Sequence, residues 1–298
     1  MNINNKKSVS VIIPTLNAER ELPALLNALR HQHLKADEII VIDSASTDGT
    51  EAVCERDGSI RLIKIARNDF DHGRTRDTAM RKAQGDFVVF LTQDALPADD
   101  NMLGNLIKPL YEDKVAVSTG RQLPKDDAAH TERLVRGFNY PAESHIRSAE
   151  DLSRMGIKTF FCSDVCAAYN KDIYISLGGF EYPLMTNEDM FYAAKAINNG
   201  HRVAYAADAK VYHSHNFTLK EQFKRNYLQG YELARHDELL CNASQTSEGK
   251  KLVMHVTAEL IKEKHPLSCI PFFFDCVARL SGNRLGKAKY LREEKDRK

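Results

Sequence analysis

The stretch SVIIPTLNAE, residues 10–19, joins a short apolar run to a polar segment that begins at Pro14. Residues 9–13 are rich in β-branched side chains and stop at that proline, which is typical of a buried strand. The leucines that follow recur at i, i+3, i+4 and i+7 and so share one helix face: Leu22, Leu25, Leu26 and Leu29. We expect Asn17 to cap this helix. The chain thus opens with a strand, a polar loop and a helix.

The same alternation continues over the first third of the chain. Apolar runs at residues 38–42, 60–65 and 87–91 predict strands, and residues 75–84 predict a helix that ends at Gly85. Strands separated by helices form parallel sheets covered by helices on both faces. Ligands of such sheets bind at the carboxyl ends of the strands. The residues directly after each predicted strand are therefore the first candidates for a functional site.

The overall composition excludes several classes of protein. The 298 residues include 42 Lys and Arg against 41 Asp and Glu, so the formal charge is +1 and no global positive field favours coating nucleic acid. Hydrophobic residues at 43% and charged residues at 28% are typical of a folded globular protein. The six cysteines are dispersed without a CxxC pair, which favours neither a disulfide scaffold nor a zinc ribbon.

The distribution of apolar residues predicts a cytoplasmic location. Residues 1–8 are polar, and the first apolar run is too short for the core of a signal peptide. No apolar run reaches the roughly 18 residues that a spanning helix needs. We therefore expect the protein to stay in the cytoplasm, where it is still able to lie on the inner face of the cell membrane.

Polar clusters follow the predicted strands at residues 14–17, 43–50, 71–77 and 92–97. The carboxyl ends of parallel strands meet at one edge of a sheet, so these clusters are expected to line one crevice. No GxGxxG or GxxxxGK[ST] loop follows a strand. This absence disfavours a dinucleotide-dependent oxidoreductase and a P-loop ATPase.

The side chains in these clusters fit a nucleotide diphosphate. Asp43 offers an acceptor for the imide N–H of a pyrimidine, and Arg76 offers a donor to a base carbonyl or a phosphate. Asp94 offers a hard oxygen ligand for Mg²⁺ or Mn²⁺, which prefer carboxylate and phosphate oxygens. A nucleotide diphosphate with a divalent cation is therefore the expected ligand.

The motifs SVIIPTLNAE, VIDSASTDGT (residues 41–50) and Gln93-Asp94-Ala95 resemble those of the family 2 glycosyltransferases with a GT-A fold. The resemblance covers about residues 8–216 and implies a GT-A-like, mostly parallel α/β sheet flanked by helices. Gln93 departs from the two acids common in the metal motif, and Ser44 stands where many relatives have a second Asp. The donor-binding residues that the resemblance implies are Thr15, Asn17, Asp43, Ser44, Arg76, Gln93 and Asp94.

FDHGRTRD (residues 70–77) and TQDALP (residues 92–97) are similar to the bacterial rhamnosyltransferase branch that builds surface polysaccharides. This similarity implies dTDP-L-rhamnose as the nucleotide-sugar donor and a glycan, or a lipid-linked glycan, as the acceptor. Two alternatives stay open: a UDP-hexose donor, and a catalytically silent sugar-nucleotide-binding or scaffold protein. The joint presence of Asp43, Asp94 and Asp189 favours an enzyme. Nucleic acid is not an expected partner.

The segment Asn187-Glu188-Asp189-Met190 matches the family's ED motif, which opens a helix and supplies the catalytic base. Inverting transfer is a single displacement at the anomeric carbon, so one carboxylate suffices to take the proton of the acceptor hydroxyl. The resemblance assigns this role to Asp189, with Glu188 orienting a neighbour or the acceptor. The alternative is an acidic pair that favours a helix N-terminus through the helix dipole.

His213 and His215 lie two residues apart in VYHSH (residues 211–215) and share one face of a predicted strand. In the family, a histidine in this region completes the metal site or contacts the diphosphate. We expect His213 rather than His215 to join Asp94 there. The alternative is a structural pair that fills a polar strand end.

The C-terminal segment combines apolar residues at helical spacing with a basic cluster. Its apolar residues between 267 and 280 are accompanied by the basic residues Arg279, Arg284, Lys287 and Lys289. This pattern suits an anionic membrane surface, and equally a helix packed on the domain or in a homodimer. We expect residues 1–118 to form a nucleotide-sugar-binding half, 119–216 an acceptor-binding half of the same catalytic domain, and 217–298 a helical C-terminal extension.

Overall fold

A computed structural model describes residues 7–241 and 246–297 of the chain, in which strands and helices alternate. The strands are β1 (Val9–Thr15), β2 (Glu38–Asp43), β3 (Ile60–Lys64), β4 (Phe87–Leu91), β5 (Leu96–Pro97), β6 (Val115–Leu123), β7 (His145–Arg147), β8 (Cys166–Asn170) and β9 (Arg202–Tyr212). The helices are α1 (Leu22–His31), α2 (Thr50–Arg56), α3 (His72–Lys82), α4 (Met102–Ile107), α5 (His130–Asn139), α6 (Leu152–Met155), α7 (Lys171–Ser176), α8 (Glu188–Asn198), α9 (Leu219–Arg235), α10 (Thr246–Lys262) and α11 (Cys269–Arg297).

All of these strands belong to one sheet, in the order β3-β2-β1-β4-β8-β6-β9-β5, with β7 added beside β9. The first four pair in parallel, and β6 pairs in parallel with β9. The strand β8 runs against both of its neighbours, and β5 and β7 run against β9. Six strands therefore share one direction and three oppose it, which confirms the predicted mostly parallel α/β sheet.

Helices cover both faces of the sheet because its central strands are apolar on both sides. In β1, Val11 and Ile13 pack with α1 and α4 on one face, whereas Ile12 packs with α3 and α8 on the other. Val89 and Phe90 of β4 divide between the two faces in the same way. A strand that is buried on both faces reads as a continuous apolar run, which is why these strands could be predicted from the sequence.

The loop after β1 differs from the sequence-based expectation. Asn17 does not cap α1, whose N-cap residue is Glu21. Instead Asn17 adopts a left-handed backbone conformation (φ +50°), and its side-chain oxygen accepts a hydrogen bond from the Thr47 N–H at 2.9 Å. Asparagine tolerates this conformation better than most residues, and here its amide ties the first polar loop to the second.

The C-terminal helix α11 packs closely along α9. At Gly286 an added Cβ atom would overlap the carbonyl oxygen of Tyr227, and at Gly282 it would overlap that of Phe223. The glycines therefore set how closely the two helix backbones approach. Tyr231 belongs to the same contact and donates a hydrogen bond to Glu293 at 2.7 Å. Among the described helices, none is long and apolar enough to cross a membrane.

Candidate active site

The polar clusters that follow the strands meet at one edge of the sheet. The strands β1, β2, β4, β6 and β9 end at this edge, and the reversed strand β8 begins there, since Leu91 pairs with Cys166. As a result, a segment before β8 joins the loops after the parallel strands. The edge carries Thr15, Asp43, Asp94, Lys125, Asp164 and His213.

Asp43 joins the first two loops of this edge. Its carboxylate accepts hydrogen bonds from the Thr15 hydroxyl at 2.9 Å, the Ser46 hydroxyl at 2.5 Å and the Ser46 N–H at 2.8 Å. The side chain is fully buried. Both carboxylate oxygens therefore accept hydrogen bonds within the protein, and the position of Asp43 fixes the loops that line the crevice. The contact with a pyrimidine imide stays a prediction, because an oxygen that accepts one hydrogen bond, as Oδ2 does, is able to accept another.

Gln93 and Ser44, two further predicted donor-binding residues, differ in their hydrogen bonding. The Gln93 side chain makes two hydrogen bonds to the backbone of Leu16, at 2.9 Å and 3.2 Å, so its amide holds the loops after β1 and β4 together. The Ser44 hydroxyl is buried without a hydrogen-bond partner among the described residues. A buried hydroxyl of this kind is a candidate for contact with a ligand.

Asp94 converges with two histidines after β9. The Nε2 atoms of His213 and His215 lie 3.4 Å and 3.3 Å from Asp94 Oδ2, and 3.1 Å from each other. Lys125 Nζ lies 3.5 Å from the same carboxylate oxygen. One carboxylate oxygen and two imidazole nitrogens that lie within 4.8 Å of one another form a donor set that fits a divalent cation. His215, over which we favoured His213, belongs to this group as well.

A hydrogen-bonded chain fixes the orientation of His213. Arg136 donates to Gln122 Oε1 at 2.5 Å, and the same oxygen lies 3.0 Å from His213 Nδ1. Because a guanidinium only donates, the contacted atom of Gln122 is its oxygen, and His213 donates to it from Nδ1. The Nε2 lone pair of His213 therefore faces Asp94. Burial lowers the pKa of His213 to about 3 against the attraction of Asp94, which keeps the ring neutral and able to bind a metal.

The acidic pair at the start of α8 belongs to a cluster of charges, which we call the base cluster: Arg76, Asp164 and Glu188, which are buried, and Asp189, which is half-buried. Arg76 Nη1 lies 3.1 Å from Glu188 Oε1, and Arg76 Nε lies 3.2 Å from Asp164 Oδ2. Asp189 accepts hydrogen bonds from the backbone N–H groups of Asp164 at 3.0 Å and Met190 at 2.7 Å. A single guanidinium thus faces several carboxylates.

The base cluster raises the proton affinity of Asp189. Burial, followed by the charge of Glu188, raises the pKa of Asp189 to about 7, against the opposing hydrogen bonds and Arg76. Burial, followed by the charge of Asp189, also raises the pKa of Asp164 well above its ordinary range. A carboxyl group that titrates near neutral pH is suited to accept a proton during a reaction.

The structure places Arg76 beside the acids of the base cluster. Its guanidinium is almost completely buried, and it contacts Glu188 and Asp164 rather than the loop around Asp43. Burial lowers the pKa of Arg76, but Glu188 and Asp164 raise it above the ordinary value. Arg76 therefore offsets part of the negative charge of the base cluster, and its contact with a base carbonyl or phosphate stays a prediction.

Some members of the site are not apparent from the sequence. Asp164 lies in a weakly patterned segment, and its carboxylate accepts a hydrogen bond from Tyr169 at 2.6 Å. Gln122 and Lys125 lie at the end of β6, which aligns with β9 beside the histidines. The sequence offered one indication of Gln122 and Lys125, because both follow the strand predicted at residues 115–118.

Comparison with known proteins identifies relatives along most of the chain. The family model "Glycosyl transferase family 2" matches residues 10–178. An O-antigen chain rhamnosyltransferase of Salmonella typhimurium is 41% identical over 223 residues, 74% of this chain and 71% of that protein. An O-antigen chain rhamnosyltransferase of Salmonella anatum is 39% identical over 225 residues, 75% of this chain and 71% of that protein.

Solved structures share the fold at low identity. A mannosyltransferase of Pyrobaculum calidifontis in complex with GDP-Man and Mn²⁺ has a TM-score of 0.64 at 19% identity, covering 97% of this chain and 88% of that one. Residues 1–349 of Staphylococcus aureus TarS with UDP-GlcNAc give a TM-score of 0.56 at 18% identity, covering 96% and 92%. With the matched motifs and the sheet-edge site, these similarities lead to one assignment: the chain belongs to glycosyl transferase family 2.

Proposed function

We propose that the chain is an inverting rhamnosyltransferase that moves L-rhamnose from dTDP-L-rhamnose to a glycan of a bacterial surface polysaccharide, carried on a lipid. The observation that carries the proposal is Asp189, a half-buried carboxyl group that opens α8 beside Glu188 and Asp164 and whose pKa of about 7 suits a general base. The choice of sugar rests on the two Salmonella relatives, whose names state rhamnose transfer in O-antigen synthesis.

The base cluster supports a single displacement at the anomeric carbon. The acceptor hydroxyl oxygen forms the new bond to that carbon as its proton passes to an oxygen of Asp189. The bond from the carbon to the diphosphate oxygen breaks, and its electron pair leaves with dTDP. Glu188 and Asp164 share Arg76, which keeps Asp189 from bearing the repulsion of two unpaired carboxylates. We assign Asp189 as the base and Glu188 as a positioning residue.

The cluster formed by Asp94, His213 and His215 is proposed to hold the divalent cation. When bound, this cation supplies positive charge to the leaving diphosphate. Two imidazole ligands are softer than the all-oxygen surroundings that Mg²⁺ prefers, so we propose Mn²⁺ over Mg²⁺. Lys125, beside Asp94, adds a second positive charge near the same place.

The loops after β1 and β2 are proposed to hold the nucleotide. Thr15, Asn17 and Asp43 fix these loops to each other, and Ser44 offers a buried hydroxyl with unused hydrogen-bonding capacity among the described residues. Gln93 joins them to the loop that carries the cation site. We accordingly propose residues 1–118 as the donor half, 119–216 as the acceptor half and 217–298 as the C-terminal extension.

A donor screen tests the proposal. The rise in melting temperature is measured with dTDP-L-rhamnose, UDP-glucose, UDP-GlcNAc and AMP in the presence of Mn²⁺, because a ligand that binds the folded state stabilises it. We expect dTDP-L-rhamnose to give the largest rise and to release dTDP when a lipid-linked glycan is added. A larger rise with a UDP-hexose would assign the alternative donor. Binding of dTDP-L-rhamnose without turnover on any glycan acceptor would favour a silent binding protein.

A variant tests the proposed role of the donor loops. Asp43→Ala removes the acceptor of one hydrogen bond that joins the loop after β1 to the loop after β2, and of two that hold Ser46 within the second loop. We therefore expect it to reduce the dTDP-induced rise in melting temperature. Asp113→Ala changes an exposed acid elsewhere and serves as the control. Equal stabilisation by dTDP in both variants would remove Asp43 from the donor site.

A further inference from the structure

The helix α11 exposes an apolar face that the packing against α9 does not use. Leu267, in the turn before the helix, is 79% exposed, and Phe273 is 62% exposed. Large apolar side chains that are grouped on a surface mark a site of interaction. The exposed apolar residues of this segment are Leu267, Ile270, Phe273, Phe274, Val277, Leu280, Leu285 and Leu291. Together with the basic residues named in the next paragraph, they form what we call the α11 face.

The same face is strongly basic toward its C-terminal end. Among the exposed residues of α11, Asp296 is the one acid, and six are basic: Arg284, Lys287, Lys289, Arg292, Lys295 and Arg297. Three further acids of the helix are half-buried: Asp275, which pairs with Arg279 at 2.6 Å, Glu293, which accepts from Tyr231 at 2.7 Å and pairs with Lys289 at 2.9 Å, and Glu294. Basic residues therefore outnumber acids six to one among the exposed residues of α11, which leaves an excess of positive charge beside the apolar surface.

The helical repeat places apolar and basic residues of α11 on the same side of the helix. Phe273, Leu280, Arg284, Lys287 and Leu291 are separated by seven, four, three and four residues, so they recur on the same side of the helix. The opposite side carries the glycines that contact α9. A helix of 29 residues is thus held against the protein on one side and presents a continuous apolar and basic surface on the other.

We propose that the α11 face binds an anionic membrane surface, with the helix lying parallel to the bilayer. The phenyl rings of Phe273 and Phe274 would enter the interfacial region, and the basic side chains would face lipid phosphates. The charge distribution favours lipid over a second copy of the chain. A dimer formed through this face would bring basic residues together or against apolar surface, with Asp296 as the one exposed acid among the described residues of α11 to pair with them.

Vesicle sedimentation of the full chain tests this inference. The vesicles contain equal parts of phosphatidylglycerol and phosphatidylcholine, with phosphatidylcholine alone as the neutral comparison. They hold neither glycan nor donor, so the result is independent of the proposed transferase activity. We expect binding to the anionic vesicles at low salt and release near 1 M salt, where the Debye length falls to about 3 Å.

Paired variants separate the two contributions. Phe273→Ser with Phe274→Ser should abolish sedimentation, whereas Tyr111→Ser, an exposed aromatic residue outside the α11 face, should not change it. Arg284→Ala with Lys287→Ala should weaken partitioning about 25-fold, about fivefold per charge. Lys82→Ala with Lys108→Ala, two exposed basic residues elsewhere, is the matched control.

Three results would overturn the inference. One is no sedimentation with anionic vesicles at any salt concentration. Another is equal binding to neutral vesicles with no effect of the Arg284 and Lys287 changes. The third is a wild-type protein that does not sediment with vesicles but forms a dimer without lipid, measured by analytical ultracentrifugation. In that case the Phe273 and Phe274 changes would dissociate the dimer. The Arg284 and Lys287 variant changes exposed side chains only, so it stays informative if the phenylalanine variant fails to fold.

Discussion

The raised pKa of Asp189 predicts a steep loss of activity in mild acid. With a pKa of about 7, about a tenth of the carboxyl group is ionised one pH unit lower, and about a hundredth two units lower. The ionised form is the one able to accept the acceptor's proton. We therefore expect kcat/KM, which reports the free enzyme, to fall about tenfold for each pH unit below about 7. An ordinary aspartate would keep full activity down to about pH 5.

Changing Glu188 should move this profile. Burial is the largest cause of the raised pKa and the charge of Glu188 is the next, so Glu188→Gln removes one cause and leaves the other. Arg76 keeps its contact with Asp164 and continues to favour the ionised base. We expect the acidic limb to shift to lower pH by on the order of one unit. Glu150→Gln, at an exposed acid, should leave the profile unchanged.

The assay is release of dTDP from dTDP-L-rhamnose at constant ionic strength and saturating Mn²⁺, so that occupancy of the cation site does not vary with pH. Asp189→Asn should lose about 10²–10⁴-fold in rate at every pH while retaining dTDP binding. A wild-type limb centred near pH 4 would refute the argument from burial. An Asn variant within tenfold of the wild type would reject Asp189 as the base.

Three further outcomes are expected. His215→Ala should weaken Mn²⁺ binding measured by calorimetry with dTDP present, and unchanged affinity would leave His213 and Asp94 as the protein ligands. Gln122→Leu should weaken Mn²⁺ binding about 10- to 100-fold, because the hydrogen bond that orients His213 is lost. Unchanged Mn²⁺ affinity would show that the hydrogen-bonded chain from Arg136 through Gln122 does not support the cation site. Gly286→Ala should lower the free energy of unfolding by about 1–3 kcal/mol through overlap with the backbone of α9. Gly249→Ala, which faces open space, should not lower it.

The sequence allowed prediction of features that are encoded in short, continuous stretches. The strands of the first third are apolar throughout because both of their faces are buried, and each is followed directly by polar residues. The acids Glu188 and Asp189 open a helix, as predicted. For such elements, the local pattern and the tertiary environment agree.

Features that depend on pairing between distant segments were not predictable in this way. Asp164 reaches the site because β8 runs against β4, and a reversal of this kind leaves no mark in hydrophobic periodicity. The same reversal brings Asp164 to Arg76, whose guanidinium contacts carboxylates contributed by two remote segments. His215 joins Asp94 because the short strand β5 aligns with the end of β9.

The glycine contacts between α9 and α11 determine how motion at the C-terminus is transmitted. The end of α9 is itself attached to the segment that precedes the base: Glu232 accepts a hydrogen bond from the Met185 N–H at 3.1 Å, and Arg235 donates to the Pro183 carbonyl at 3.2 Å. With two backbones in direct contact, α11 has little freedom to slide along its neighbour. The C-terminal helix is therefore connected through α9 to the segment that leads into α8, so a change in its packing reaches the helix start that carries the proposed base.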